Sequence, residues 1–338
     1  MFHSGNLQGN NKTVKKGSGM KIHLGRFADS GTKAALKTLI GQFFPGSKAE
    51  FRESSVIVSD FRPETAADFI PAAEALPGIS WVQMSLAEEC PLAVSAKKTS
   101  HIFDFSKGSI FIAGPCSVDT EENYISCAKA LKEAGADALR AALFKPRSSP
   151  YAFQGIGFAG ADIIKKAKEI TGLPLVTEVT DTRQIEKLVG LTDILQIGAR
   201  NMRAYELLKE AGRSGMPVLI KRSAHATLRE WLLSAEYLLK YGCKEVILCE
   251  RGDGIGSEFP VNLDMIRAAL KNTELPVFSD PCHSAEGASA ATDAAVNALA
   301  AGAHGLLIEA EINPHKAKTD GRHTMTMQSL AALIKDKK

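Results

Sequence analysis

Two short stretches of the chain carry residue types that can do chemistry. Gly114-Pro115-Cys116-Ser117 and Lys145-Pro146-Arg147-Ser148-Ser149-Pro150 each follow an apolar run that reads as a buried strand. The first presents a thiol, which as a thiolate can hold a metal. The second fixes a Lys and an Arg among prolines, a pair suited to a phosphate group. Further apolar runs contain or lead into Arg140, Thr177-Glu178, Gln196 with Arg200, Lys221-Arg222, Glu250-Arg251, Asp280-Pro281-Cys282-His283, and Glu309 with Glu311 and Asp320 beyond. If these strand ends meet, Arg140, Lys145, Arg147, Arg200, Lys221 and Arg251 crowd one mouth. Such a cluster is repulsive unless anions offset it. A ligand bearing phosphate or carboxylate groups is the natural counter-charge.

The elements that must position these groups are legible from residue 110 onward. Nearly continuous apolar runs at 110–114, 138–144, 175–179, 194–198, 218–221, 246–249, 276–280 and 305–309 alternate with helical spacing at 121–134, 161–171, 183–189, 204–210, 228–241, 263–271 and 288–301, with a last helix at 325–335. Strands apolar on both faces belong to a parallel sheet. Eight βα units in this length predict a closed (β/α)8 barrel rather than an open sheet, and active sites of such barrels lie at the C-terminal ends of the strands. No Gly-x-Gly-x-x-Gly follows the first strand, which weighs against a dinucleotide fold. Strands 1, 7 and 8 become neighbours on closure. They bring together Cys116, His283, Glu309 and Asp320, a thiolate, an imidazole and two carboxylates, which suit Mn, Fe, Co or Zn better than Mg or Ca.

Each residue alone has a plainer explanation. A Cys after a strand is commonly a small buried filler, a loop His a structural donor, and strand-end Lys and Arg are commonly solvated rim charges. Convergence of complementary groups from independent strands favours the site. Cys282 is either a second thiol near a metal or a filler, and filler is favoured. Glu178, Glu311 and Arg222 are equally suited to ordinary ion pairs inside the mouth.

Residues 20–86 precede the barrel. Strand-like runs at 21–24, 49–54, 55–60 and 79–84 and helical spacing at 32–44 and 63–76 give the order βαββαβ, a ferredoxin-like α+β unit. Residues 87–109 read as a connector, with a short hairpin at 101–105, and residues 1–19 as a disordered polar tail. At 338 residues the chain has room for both units. A net charge of +3, spread along the chain, argues against nucleic acid as a partner. No apolar run reaches the roughly 18 residues that would span a membrane, and the N-terminus has no apolar secretion segment. A cytoplasmic protein with its six cysteines reduced is expected.

Six motifs in order resemble one family: Ile112-Ala113-Gly114-Pro115-Cys116-Ser117, Lys145-Pro146-Arg147-Ser148-Ser149-Pro150, Gln196-Ile197-Gly198-Ala199-Arg200-Asn201, Cys249-Glu250-Arg251-Gly252, Asp280-Pro281-Cys282-His283-Ser284 and Thr319-Asp320-Gly321. They are similar to 3-deoxy-D-arabino-heptulosonate-7-phosphate (DAHP) synthase, type I β branch, which shares ancestry with 3-deoxy-D-manno-octulosonate-8-phosphate (KDO8P) synthase. The resemblance covers 108–338, and Lys-Pro-Arg-Ser-Ser-Pro is the DAHP form. It implies condensation of phosphoenolpyruvate with erythrose 4-phosphate, the first step of the shikimate pathway. It implies a divalent metal on Cys116, His283, Glu309 and Asp320, phosphoenolpyruvate on Arg140, Lys145, Arg200, Lys221 and Arg251, and the aldose phosphate on Arg147 and Ser148. C3 of the enol then attacks the aldehyde carbon, water adds at C2, and phosphate leaves by C–O cleavage. The catalytic residues are Lys145 and His283. Lys145, with a pKa lowered by neighbouring cations, becomes the proton donor to the new alkoxide. The N-terminal unit resembles a regulatory domain that takes tyrosine or phenylalanine, and the assembly implied is a homo-tetramer. The alternative for that unit is an oligomerisation or barrel-capping module without a ligand.

Three places depart from the family pattern. Ala141-Ala142 replaces a common Gly-Gly and is predicted to crowd the phosphoenolpyruvate site. Ala285-Glu286-Gly287-Ala288 replaces Gly-x-Arg-Arg. The segment 253–260 is short and lacks the Arg-Asn that often precedes Leu-Asp, here Leu263-Asp264. These changes bear on the second substrate, so a KDO8P synthase-like enzyme using another aldose phosphate is the alternative. A non-catalytic barrel acting as a binding partner, for instance of chorismate mutase, has no need of all four metal-type ligands.

Overall fold

The structure, a computed structural model, describes residues 19–253, 261–285 and 287–337. The tail expected before Met20, apart from Gly19, and the short segment after Asp253 lie outside the described residues. The chain divides into two compact units, Met1–Pro91 and Leu92–Lys338.

The first unit contains β1 (Met20–Leu24), α1 (Ser30–Phe43), β2 (Lys48–Phe51), β3 (Ser55–Ser59), α2 (Ala66–Glu74) and β4 (Ile79–Gln83). Its antiparallel sheet runs β2-β3-β1-β4, the ferredoxin-like order, with β1 between β3 and β4. Asp29 starts α1 by accepting from the Thr32 N–H at 2.7 Å, which satisfies one of the free donors of the first turn. The helix expected at 63–76 is split: Pro63 opens a 3-10 turn, Pro63–Thr65, and α2 follows. Ile22, Leu36, Val56, Val58 and Phe69 form the core of this unit.

The second unit contains the parallel strands β5 (Ile110–Gly114), β6 (Ala138–Arg140), β7 (Leu175–Val179), β8 (Ile194–Ile197), β9 (Val218–Lys221), β10 (Val246–Glu250), β11 (Val277–Ser279) and β12 (Gly305–Glu311). β12 pairs with both β11 and β5, so the sheet closes into a barrel. Every residue of β5, β7, β10 and β12 is buried, which is why these strands read as continuous apolar runs. At Gly305 an added Cβ would lie 2.5 Å from the Ile110 carbonyl oxygen, so the closing pair requires a bare Cα there.

Elements of the second unit also differ from expectation. β6 ends at Arg140 instead of running to 144. Beyond Ala141 the backbone partners come from loops: Val118 N–H donates to the Ala142 carbonyl, Gly157 to Leu143, and Lys145 to Gln154. A strand not foreseen, β13 (Met325–Thr326), adds in parallel to the end of β12. The hairpin expected at 101–105 does not form. Instead the Ser100 hydroxyl accepts from the Ile102 and Phe103 N–H groups. Phe103 and Phe105 pack against Phe278, Ile110 and other residues near the strand starts, closing the N-terminal floor of the barrel.

Candidate active site

All six cations expected at the mouth line one cavity of about 550 Å³, together with Ser148, Glu178, His283, Glu309 and Asp320. Cys116 lies just behind this lining, fully buried. The ligand atoms of Cys116, His283, Glu309 and Asp320 all lie within 4.8 Å of one another. Their supports differ. Cys116 follows β5, His283 sits in the turn after β11, Glu309 is on β12, and Asp320 lies in the loop beyond. Asp320 has a left-handed backbone, φ 53°, which Asp tolerates better than most residues. The His323 N–H and the Thr324 hydroxyl both donate to its carbonyl, at 3.0 and 3.1 Å, and hold that turn.

The chemistry of this group fits a divalent transition metal. The Cys116 thiol donates to Asp320 Oδ2 at 3.0 Å. Burial, then the Glu309 charge, push its pKa far up, so the thiol is neutral without a cation; a bound metal reverses that, because a coordinating thiol is deprotonated. Glu309 is fully buried, and among the described residues neither carboxylate oxygen has an aligned hydrogen bond, although Arg140 Nη2 and His283 Nε2 approach Oε1 at 3.1 and 3.4 Å. Burial alone would raise the Glu309 pKa, yet His283, Arg140 and Lys145 hold it below the usual value, so it is ionised. A buried carboxylate with no aligned donors is costly unless something else satisfies it. Sulfur, imidazole nitrogen and two carboxylates make the mixed soft and hard set that Mn, Fe, Co and Zn accept.

The cations are held from several strands. Arg140 and Lys221 are almost fully buried at the ends of β6 and β9, and Lys145 is buried in the loop after β6. Gly155, at φ +88°, shapes the return of that loop, where a Cβ would lie 2.1 Å from the Leu143 carbonyl oxygen. Arg147, Arg200 and Arg251 are more open, with Arg147 Nη1 3.8 Å from Asp320 Oδ2. Arg200 donates to the Pro146 carbonyl at 3.4 Å, linking the loop after β8 to the Lys-Pro-Arg loop.

Two expectations are corrected. The Lys145 pKa is raised, not lowered. Burial pulls it down, but Cys116, Glu178 and Glu309 together push it further up and outweigh Arg140, so the ammonium persists at neutral pH. Ala141 and Ala142 are buried in the wall and do not line the cavity, so they do not crowd it. The changes at Glu286 and at 254–260 lie outside the described residues.

Other groups sort themselves. Arg222 turns away from the cavity into a buried ion pair with Glu250 and a second contact to Asp253. Cys282 is fully buried in the cavity wall, and its sulfur accepts from the Glu309 N–H at 3.3 Å. Among the described residues Glu311 makes no ion pair of the kind expected: burial, then repulsion from Asp119 and Glu309, raises its pKa to about 7. Three further residues stand at the site: Glu178, read from sequence as suited to an ordinary ion pair, and His323 and Asp280, given no role there. Glu178 fits because Gly198 has no side chain; a Cβ there would lie 2.1 Å from Glu178 Oε1. His323 lines the mouth with Nδ1 2.6 Å from the Ala285 carbonyl oxygen. Asp280 contacts both Lys221 and His283. The one sequence signal for Asp280 is its place three residues before His283, spacing that one turn can bring together.

Among the described residues, no helix is long and apolar enough to cross a membrane, and all six cysteines are free and buried. Residues 96–338 match the DAHP synthetase I family. The phospho-2-dehydro-3-deoxyheptonate aldolase of Thermotoga maritima is 36% identical over 230 residues, 67% of this chain and 68% of that protein. The 2-dehydro-3-deoxyphosphooctonate aldolase of Syntrophotalea carbinolica is 29% identical over 244 residues, 67% of this chain and 88% of that one. A crystal structure of phospho-2-dehydro-3-deoxyheptonate aldolase (DAHP synthase) from Thermotoga maritima shares the fold with a TM-score of 0.81 at 28% identity, covering 94% of this chain and 95% of its own. With cation-lined cavity, metal-type donors and barrel all in place, the chain belongs to the DAHP synthetase I family.

Proposed function

We propose that the barrel mouth condenses phosphoenolpyruvate with erythrose 4-phosphate to give DAHP and inorganic phosphate, the first step of the shikimate pathway. The observation that carries this reading is the contact between the two halves of the site. Arg140 Nη2 stands 3.1 Å from Glu309 Oε1, so a cation suited to phosphoenolpyruvate abuts a carboxylate suited to a metal.

Arg140, Lys145, Arg200, Lys221 and Arg251 hold the phosphate and carboxylate of phosphoenolpyruvate through charge-assisted hydrogen bonds. Arg147 and Ser148, nearer the rim, hold the phosphate of the aldose. This arrangement orients the enol carbon toward the aldehyde, which lowers the entropic part of the barrier. Cys116, His283, Glu309 and Asp320 would hold the divalent ion, Mn, Fe, Co or Zn, which when bound supplies Lewis-acid polarisation of the aldehyde oxygen. The enol C3 bonds to the aldehyde carbon, and Lys145, its pKa raised by Cys116, Glu178 and Glu309, gives its proton to the aldehyde oxygen. Water adds at C2, one of its protons restores the Lys145 ammonium, and phosphate departs with its bridging oxygen and the other proton as the C2 ketone forms.

The N-terminal unit is assigned to regulation by tyrosine or phenylalanine, and the assembly to a homo-tetramer in the cytoplasm; the ferredoxin-like topology supports the first of these. The substrate assignment is tested with phosphoenolpyruvate and a panel of aldose phosphates, following phosphate release and the mass of the product. Erythrose 4-phosphate should give the highest kcat/KM. A clear preference for a five-carbon aldose phosphate would overturn it.

A further inference from the structure

Asp280 is fully buried just past β11 and makes its contacts inside the barrel. Its Oδ2 meets Lys221 Nζ and also lies 2.7 Å from His283 Nδ1. Its Oδ1 accepts from the His283 backbone N–H at 3.2 Å. The Asp280 N–H in turn donates to the Glu250 carbonyl at 2.7 Å, which continues the β10–β11 ladder and fixes the carboxylate on a rigid element. One oxygen thus faces a cation from alternate strand β9 and a ring nitrogen of the metal-type set.

The chemistry of each contact is directional. His283 Nε2 faces Glu309 Oε1 at 3.4 Å, on the metal-type side. A neutral imidazole can ligate only through the nitrogen that lacks a proton. An anionic acceptor beside Nδ1 keeps the proton there and leaves Nε2 free. The 2.7 Å separation is within hydrogen-bond distance although the N–H is not aligned, and among the described residues Nδ1 has no other hydrogen-bond partner. Lys221 needs an anion for a different reason: a buried ammonium without one is unstable.

We propose that Asp280 is a positioning residue that sets both halves of the site, holding His283 with its proton on Nδ1 and Lys221 with its ammonium toward the cavity. The proposal rests on the assignment of Cys116, His283, Glu309 and Asp320 as metal ligands. It makes metal affinity and phosphoenolpyruvate affinity depend on one carboxylate that touches neither ligand.

The test uses Asp280→Asn in the full chain. Asn keeps the shape but replaces one acceptor oxygen with a donor, so either the His283 N–H or the Lys221–Nδ1 pair loses its acceptor. Mn(II) affinity, read from the free-ion EPR signal with no substrate present, should fall about 10- to 100-fold, the usual effect of losing a carboxylate behind a ligating His. Phosphoenolpyruvate affinity, read by calorimetry without aldose, should fall in the same variant. Lys221→Met should lower only the second. Asp280→Glu should recover part of both. Unchanged Mn(II) and phosphoenolpyruvate affinities in Asp280→Asn would overturn the proposal. If Cys116→Ala also leaves Mn(II) binding intact, the metal assignment itself fails; if Cys116→Ala abolishes it, only the role of Asp280 fails. A folding defect in Asp280→Asn leaves a direct reading on the wild-type protein. The histidine ¹⁵N resonance that disappears in His283→Gln should show the proton on Nδ1, and a proton on Nε2 would overturn the proposal.

Discussion

Cys116 Sγ donates to Asp320 Oδ2 across 3.0 Å, although the two residues are 204 positions apart in the chain. The contact joins the loop after the first barrel strand to the loop after the last, which is possible only because the barrel closes between β12 and β5. A buried thiol facing a carboxylate is a weak pair on its own. It becomes a strong one when a cation takes the proton's place. Cys116→Ser should therefore lower bound metal per chain at least tenfold after dialysis against a weak chelator, because a neutral hydroxyl replaces a thiolate. Elemental analysis checks this. Unchanged metal content would reduce Cys116 to a packing residue.

Arg147 is nearer the rim than Arg140 or Lys221 and keeps part of its guanidinium open to solvent. Arg147→Ala should raise the KM for the aldose phosphate while leaving that for phosphoenolpyruvate within about threefold. A lost charge-assisted hydrogen bond costs on the order of 1.5–3 kcal/mol, or roughly 10- to 150-fold. Steady-state kinetics with each substrate varied in turn decides it. Equal effects on both would exchange the two phosphate assignments.

Glu311 has a folded pKa of about 7, raised by burial, then by Asp119 and Glu309. A carboxyl whose folded pKa exceeds its unfolded value binds its proton more tightly when folded, so its contribution favours the fold at low pH. That contribution is lost as pH rises from the unfolded value through about 7. Glu311→Gln should consequently raise the melting temperature at pH 8.5 by roughly 2–4 °C, the shift expected for about 1 kcal/mol in a domain of this size. At pH 4 it should change little. Thermal denaturation at both pH values measures the difference, and an equal shift at both would show that the charge is not the cause.

The strands of the barrel were legible because each is buried on both faces. The bounds at 110–114, 175–179 and 218–221 agree with β5, β7 and β9. The overlong reading at 138–144 came from the same signal: Leu143 is buried in a loop rather than a strand, and apolar character alone cannot separate the two. The cations and the four metal-type residues were legible because barrel strands deliver their C-terminal residues to one mouth. The Lys145 shift was not, since its direction depends on whether nearby cations or Cys116, Glu178 and Glu309 weigh more. Asp280 had no role from sequence because its partner Lys221 lies 59 residues away on another strand.

Every residue assigned to chemistry lies in Leu92–Lys338, so the first unit should be dispensable for turnover. Removal of residues 1–86 should leave a barrel that condenses its substrates at a rate within about tenfold of the full chain. Tyrosine or phenylalanine should inhibit the full chain and not the shortened one, since an effector acts only by binding one state better than another. Activity titrations of both proteins with each aromatic amino acid give the answer. No inhibition of the full chain, with a smaller assembly on shortening, would assign the unit to oligomerisation.

The most direct measurement of the whole account is phosphate release from phosphoenolpyruvate and erythrose 4-phosphate before chelation, after it, and after Mn(II) is restored. The account predicts turnover that falls by at least a hundredfold in excess chelator, about 3 kcal/mol of lost transition-state stabilisation, and returns with Mn(II). Full turnover in a protein shown by elemental analysis to hold no metal would contradict it.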